Sequence, residues 1–220
     1  MATKRQSLMP AAPPTPVHFV TDRSGGGSDG HSSSRSSSGH VVMADAVYVV
    51  GTFPVTISSD TVIHPRARLD AKGGPVNIGR RCIVEERAIV GGGGSTAQNS
   101  GAVSLPGSFP SPEGSVTLGD YVSVETGAVL EAGAVVGQGS VVGARSQIGS
   151  GAVIGRYCTL APRTRIQPGE KVPDFTVVYG QQRRRDSRVG AVESRHKQQA
   201  RKIEVLRKLI PSVPEKYAAA

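Results

Sequence analysis

The chain has 220 residues, 37% hydrophobic and 4% aromatic, with no tryptophan and a formal net charge of +9. That length and composition argue for one domain with tails rather than two globular domains. No apolar run reaches 18 residues and no secretory hydrophobic segment is present, so a membrane span is excluded and the chain reads as intracellular.

Residues 1–40 are rich in Pro, Ser and Gly and nearly free of large apolar side chains, which predicts a disordered tail. Lys4, Arg5, Arg23 and Arg35 raise the alternative of a mitochondrial presequence, but Pro10, Pro13, Pro14 and Pro16 prevent an amphipathic helix there.

From residue 41 to 180 the pattern has a period of six. Leu118, Val124, Leu130, Val136, Val142, Ile148, Ile154, Leu160, Ile166, Val172 and Val178 recur without a break. Six is neither the 3.6 of a helix nor the alternation of a strand, so a repeated unit generates it. Four residues after each aliphatic stands a second restricted slot: Val122, Ala128, Ala134, Ser140, Ser146, Ala152, Cys158, Thr164, Glu170 and Thr176. All but Glu170 are small or β-branched, which suits a cramped inward corner.

One unit is a short strand plus a bend. Three units close a triangular coil of 18 residues, and stacked coils lie about 4.8 Å apart as parallel strands. Glycines at 127, 133, 139, 151 and 169 suit bends of positive φ. Upstream, Ile57, Ile63 and Leu69 keep step, as do Ile78, Val84 and Val90. A three-residue excess between Leu69 and Ile78 is assigned to the stretch Lys72–Pro75. Val42 and Tyr48 are expected to begin the first coil. The prediction is an all-β solenoid of about six coils, from which a Gly/Ser/Pro-rich loop at 91–115 is ejected. Cys82 and Cys158 fall in the small inward slot and read as buried, reduced thiols.

Residues 181–220 form a basic C-terminal segment. Positions 181–208 hold ten Lys or Arg against three Asp or Glu. Val192, His196, Gln199, Ile203, Leu206 and Ile210 follow helical spacing, predicting an amphipathic helix that ends before Pro211. Its second half is expected to dock on the solenoid flank or the open C-terminal coil, while its first half projects or lies loosely. No aromatic residues interleave with Arg183, Arg184 and Arg185, so nucleic-acid binding is not expected.

Hexapeptide solenoids with known chemistry are mainly acyltransferases and gamma-class carbonic anhydrases, and both depend on histidine as a base or zinc ligand. Of His18, His31, His40, His64 and His196, only His64 falls in a coil. Where this chain is similar to the carbonic anhydrases, the ligand positions carry Thr126, Glu131 and Gly91, which cannot assemble a zinc site. Glu85 and Glu86 read as solvated or partner-facing carboxylates. The residues therefore predict no catalytic, cofactor-binding or metal site, no cofactor, and a chain that is not an enzyme. The partner-binding surface is not identified. The alternative is a divergent gamma-carbonic-anhydrase-like or acyltransferase enzyme with His64 as base.

The stretches T-V-I-H-P-R-A-R-L-D-A-K-G-G-P-V-N-I-G at 61–79, C-I-V-E-E-R-A-I-V at 82–90, G-S-V-V-G-A at 139–144, F-T-V-V-Y-G at 175–180 and L-R-K-L-I-P at 206–211 carry a resemblance. Together with the loop and terminal helix, they make residues 45–215 similar to the dynactin subunit 6 family. The Ser-rich N-terminal extension and the Gly/Ser-rich loop depart from that family, whose loop tends to be acidic and Pro-rich. The resemblance implies a left-handed β-helix and a non-catalytic structural role in the dynactin pointed-end complex. It also implies hetero-oligomeric partners, dynactin subunit 5 and an actin-related protein among them, and a cytoplasmic, cytoskeletal place in dynein-driven transport and cargo attachment.

Overall fold

The computed structural model describes residues 16–20, 40–92, 114–186 and 191–217. The 93–113 part of the expected loop and most of the 1–40 tail lie outside the described residues. Within the rest, the chain winds as a three-sided parallel β-helix.

Face 1 stacks strands Val17–Val20, Val55–Ser58, Val76–Ile78, Val116–Leu118, Val135–Val136, Val153–Ile154 and Lys171–Val172. Face 2 stacks Val42–Met43, Val62–Ile63, Ile83–Val84, Ser123–Val124, Val141–Val142, Thr159–Leu160 and Thr176–Tyr179. Face 3 stacks Tyr48–Gly51, Arg68–Ala71, Ile89–Gly92, Val129–Glu131, Gln147–Ile148 and Arg165–Ile166. All of these pairings are parallel, with like positions of successive coils in register.

The aliphatic series is the core. Leu118 through Val178 at six-residue intervals are at most 3% exposed, and the slot residues Ala128, Ala134, Ser140, Ser146, Ala152 and Cys158 are fully buried. Each inward aliphatic contributes roughly 1.5–3 kcal/mol by leaving water. Buried hydroxyls are matched to the backbone: Ser140 Oγ donates to Gly155 O at 2.8 Å and Ser146 Oγ to Ala161 O at 3.0 Å. The three-residue excess lies in the connection between Arg68–Ala71 and Val76–Ile78, the predicted place.

The first coil differs from expectation by one residue. Met43 pairs with Ile63 and Val49 with Leu69, so Met43 and Val49 point inward, while Tyr48 is 59% exposed. Val42 instead faces outward into a small cluster with Val62, Ile83 and Ile203. A second correction concerns the tail, where Val17–Val20 pairs with Val55–Ser58 and sets Val17 and Phe19 beside the core. Four residues, V-H-F-V, alternate as a strand must, and the averaged composition of 1–40 conceals them.

The three corners have different chemistry at their left-handed position. Between faces 3 and 1 it is occupied by glycines, among them Gly133, Gly151 and Gly169. Between faces 1 and 2 it holds Asp60, Arg81, Tyr121, Gly139, Tyr157 and Phe175, and between faces 2 and 3 Arg66, Arg87, Gly127, Arg145 and Arg163. A non-glycine residue in this conformation costs about 1–2 kcal/mol.

Helix α1, Ala191–Leu209, lies along face 2 and runs back toward the first coil. Ile203 is 3% exposed against Val42, Val62 and Ile83. The first half does not project, contrary to expectation: His196 stacks on Tyr121 at 4.0 Å, and Arg195 donates to Tyr157 O and pairs with Asp186 at 2.9 Å. Gln199 Nε2 donates to Arg81 O at 2.8 Å, and Arg207 pairs with Asp60.

Beyond the helix, Ser212 bridges to Ala44, Val213 N donates to Met43 O at 2.9 Å, and Ile210 and Tyr217 pack on the core at its N-terminal mouth. The opposite, C-terminal end is closed in another way. There Gln182–Arg185 turns back as an antiparallel strand on Thr176–Tyr179 and closes the edge of face 2.

Ile148→Asp would place an unpaired carboxylate in the dry column. We expect loss of cooperative melting, and a decrease of about 2–5 kcal/mol for the milder Ile148→Ala. Wild-type melting of the aspartate variant would contradict the inward assignment.

Candidate functional site

The corner between faces 2 and 3 holds several chemistry-bearing side chains that the lattice does not consume. His64 opens the bend His64-Pro65-Arg66, and its N–H donates to Val84 O at 2.9 Å, which seats it one coil from Glu85. Glu85 N in turn donates to Val124 O, continuing the column to Glu125. The parallel register that builds the core thus also stacks these residues.

The His64 imidazole is half-buried. Its Nε2 is shielded from solvent and has no hydrogen-bond partner. Burial pulls its pKa below the ordinary 6.5; Glu85 and Glu86 oppose that shift and the Lys202 cation adds to it. The ring is therefore a neutral base with an uncommitted nitrogen.

Glu85 is held from two sides. Lys202 of α1 donates to Oε1 at 2.6 Å, while Thr126 donates to Oε2 from its N at 3.2 Å and its Oγ1 at 2.9 Å. Burial alone would raise its pKa, but the Lys202 and Thr126 contacts outweigh that and hold it below the usual range. This departs from the reading of Glu85 as a solvated carboxylate. Glu86 is exposed. Glu125 Oε2 accepts from Ala144 N at 2.9 Å.

The three positions similar to zinc ligands do not converge. Thr126 serves Glu85, and Glu131 Oε2 accepts from Ser150 N at 2.9 Å at another corner. Gly91 meets a packing need, since a Cβ there would stand 2.0 Å from Asp70 O. Among the described residues no three His, Cys, Asp or Glu are gathered into a metal-holding group.

The cysteines are fully buried. Cys82 Sγ donates to Gly119 O and Cys158 Sγ to Pro173 O, each at 3.1 Å. Burial pushes the Cys82 thiol up to about 12 and raises Cys158 as well. At the C-terminal end, Arg183 pairs with Glu170, and Arg184 and Arg185 line an open cavity of about 540 Å³ with Pro173, Asp174 and Thr176.

His196, placed outside the coils by sequence, is brought onto the aromatic corner. Its Nε2 is buried without a partner, and burial and the nearby Arg81 cation lower its pKa. Tyr157 and Phe175 continue the stack at 5.3 Å. The eighteen-residue interval between Tyr157 and Phe175, and twice that between Tyr121 and Tyr157, was the signal available in the sequence.

The family described as "Bacterial transferase hexapeptide (six repeats)" matches residues 133–168. Dynactin subunit 6 of Danio rerio is 47% identical over 36 residues, 16% of this chain and 18% of that protein. The crystal structure of a hexapeptide transferase family protein from Anaplasma phagocytophilum superposes with a TM-score of 0.56 at 14% identity, covering 88% of this chain and 97% of that one. A putative acetyltransferase of Bacillus cereus gives 0.42 at 19% identity, over 78% and 94%. The fold is the left-handed parallel β-helix of hexapeptide repeats, with a single C-terminal helix. No helix among the described residues is long and apolar enough to cross a membrane. The expectation of a chain that is not an enzyme is corrected by the Anaplasma phagocytophilum structure: a transferase-family protein shares the architecture, so the fold offers no ground for excluding catalysis.

Two predictions follow from the titrating groups. His64 and His196 resist protonation in the native state, so below pH 6.5 the unfolded chain takes up protons first and stability is lost as pH falls. Denaturant midpoints measured either side of that value should show a shallower acid loss in His64→Gln than in wild type; equal slopes would oppose the assignment. Neither thiol should react with iodoacetamide near neutral pH in the native protein, whereas both should in urea. Rapid native labelling would contradict their burial.

Proposed function

We propose that the chain is a β-helical subunit of a hetero-oligomeric assembly of the dynactin pointed-end kind, cytoplasmic and engaged in dynein-driven transport. The observation that carries this reading is the 47% identity with dynactin subunit 6 over 36 residues, in a chain folded as a three-sided parallel β-helix. Generic hexapeptides share only spacing. A second β-helical subunit such as dynactin subunit 5 and an actin-related protein are the partners this reading assigns. Flat parallel faces suit side-by-side packing, and the exposed Tyr48 on face 3 offers an aromatic contact.

A second reading, acyl transfer of the hexapeptide transferase kind, is favoured by His64. A neutral imidazole with a free Nε2, one coil from an ionised Glu85, has the composition of a general base. Its Nε2 is closed to solvent, so substrate access requires the corner to open.

Affinity purification of the tagged full chain under gentle lysis, with identification of bound proteins, separates the two. Recovery of an actin-related protein and a second β-helical chain is expected. A homo-oligomer turning over an acyl thioester, with activity lost in His64→Gln at unchanged melting temperature, would overturn the assembly reading.

A further inference from the structure

The corner between faces 2 and 3 is strained at four places for which the described fold supplies no reason. Arg66, Arg87, Arg145 and Arg163 adopt φ of 60°, 56°, 57° and 61°. Glycine fills the matching position of the neighbouring corner, at Gly133, Gly151 and Gly169, without strain. At the aromatic corner the non-glycine residues have an internal use, since His196 stacks on Tyr121 and Arg195 binds Tyr157 O. The four arginines have none: all are exposed, and among the described residues no ion pair engages them. Backbone strain that packing does not explain points outward.

We propose that this edge is a binding ladder for an acidic segment of a partner protein. Stacking sets the arginines about 4.8 Å apart where coils are adjacent, and the whole ladder spans roughly 19 Å, the length of about six extended residues. Its one gap, Gly127, is overhung by the Arg145 stem, whose Cγ would lie 3.5 Å from a Cβ built there. Beside it, Thr126, Ala144, Arg145, Pro162 and Arg163 line an open groove of about 490 Å³ that would admit small side chains between the carboxylates. Neighbouring acids compete little: Glu85 is bound by Lys202 and Thr126, and Glu125 by the Ala144 N–H. Glu86 alone stands exposed in the row. A nucleic acid fits less well, because Pro65, Glu86, Thr126, Ala144 and Pro162 offer no aromatic platform for bases. Guanidinium groups in turn pair with carboxylates in two-point geometry.

The test is fluorescence anisotropy on the full chain, with a labelled peptide of roughly ten alternating Glu and Ser residues, long enough to span the ladder. A single-stranded oligonucleotide of similar length runs in parallel. Combined Arg66→Gly, Arg87→Gly, Arg145→Gly and Arg163→Gly should weaken peptide binding at least tenfold while melting at or above the wild-type temperature, because glycine relieves the left-handed turns. If that variant fails to fold, Arg→Asn at the same sites serves, since asparagine also tolerates this conformation. A charge-matched control, Arg184→Ala, Arg185→Ala, Lys197→Ala and Arg201→Ala, should bind as wild type. No peptide binding, equal weakening in the control, or tighter binding of the oligonucleotide that depends on the four arginines would each overturn the proposal.

Discussion

Everything in this molecule depends on a dry column of aliphatic side chains held in register from coil to coil. Ile154 is supported above and below by Val136 and Val172, and each pairs its backbone with the next. No coil can shield its own apolar surface, so order in one coil presupposes order in its neighbours. The regularity has a second effect. Any residue at a given offset from the column is stacked on its counterparts, so a corner becomes a line of chemically similar groups rather than an isolated turn. His64 beside Glu85, Tyr157 beside Phe175 and the row of arginines all arise this way.

The two ends of the column are closed by different devices. At the C-terminal side a short antiparallel strand, Gln182–Arg185, occupies the edge of face 2. At the N-terminal side Ile210 and Tyr217 cover the mouth, brought there by a helix that travels the whole flank. Exposed parallel edges invite association, so both arrangements limit the surface open to further strands. The assembly reading places its partners on the flat faces 1 and 3. The corner holding His64 sets a base with an unpartnered nitrogen beside Glu85, the arrangement on which the catalytic reading rests.

The sequence displays the inner face of the solenoid plainly because burial imposes one chemistry every six residues. The eleven aliphatics, the small slot and the three-residue excess needed nothing but spacing. Where the interior constraint weakens, legibility weakens too. At the first coil, Val42 and Met43 are both apolar, and only the docking of Ile203 explains why Val42 points out. The strand at Val17–Val20 is too short to rise above the composition around it. Docking of the helix's first half rested on aromatic and polar contacts, His196 on Tyr121 and Gln199 on Arg81 O, which helical hydrophobicity does not register. For the candidate site, the identity of His64 was visible, but its shielded nitrogen and the capture of Glu85 by Lys202, 117 residues away, belong to tertiary structure alone.

The return of the chain to its own beginning has a temporal consequence. Tyr217 accepts from Val47 N and donates to Asp45 O, and Ser212 Oγ accepts from Met43 N at 3.1 Å, so the opening coil is finished by residues roughly 170 positions later. During synthesis the ribosome releases those residues only after all intervening coils have emerged. Until then the prism stands uncorked at the end that forms first, with Met43 and Val49 reachable by chaperones or by another nascent strand. Maturation of this chain is therefore a ring-closing event, however linear its architecture.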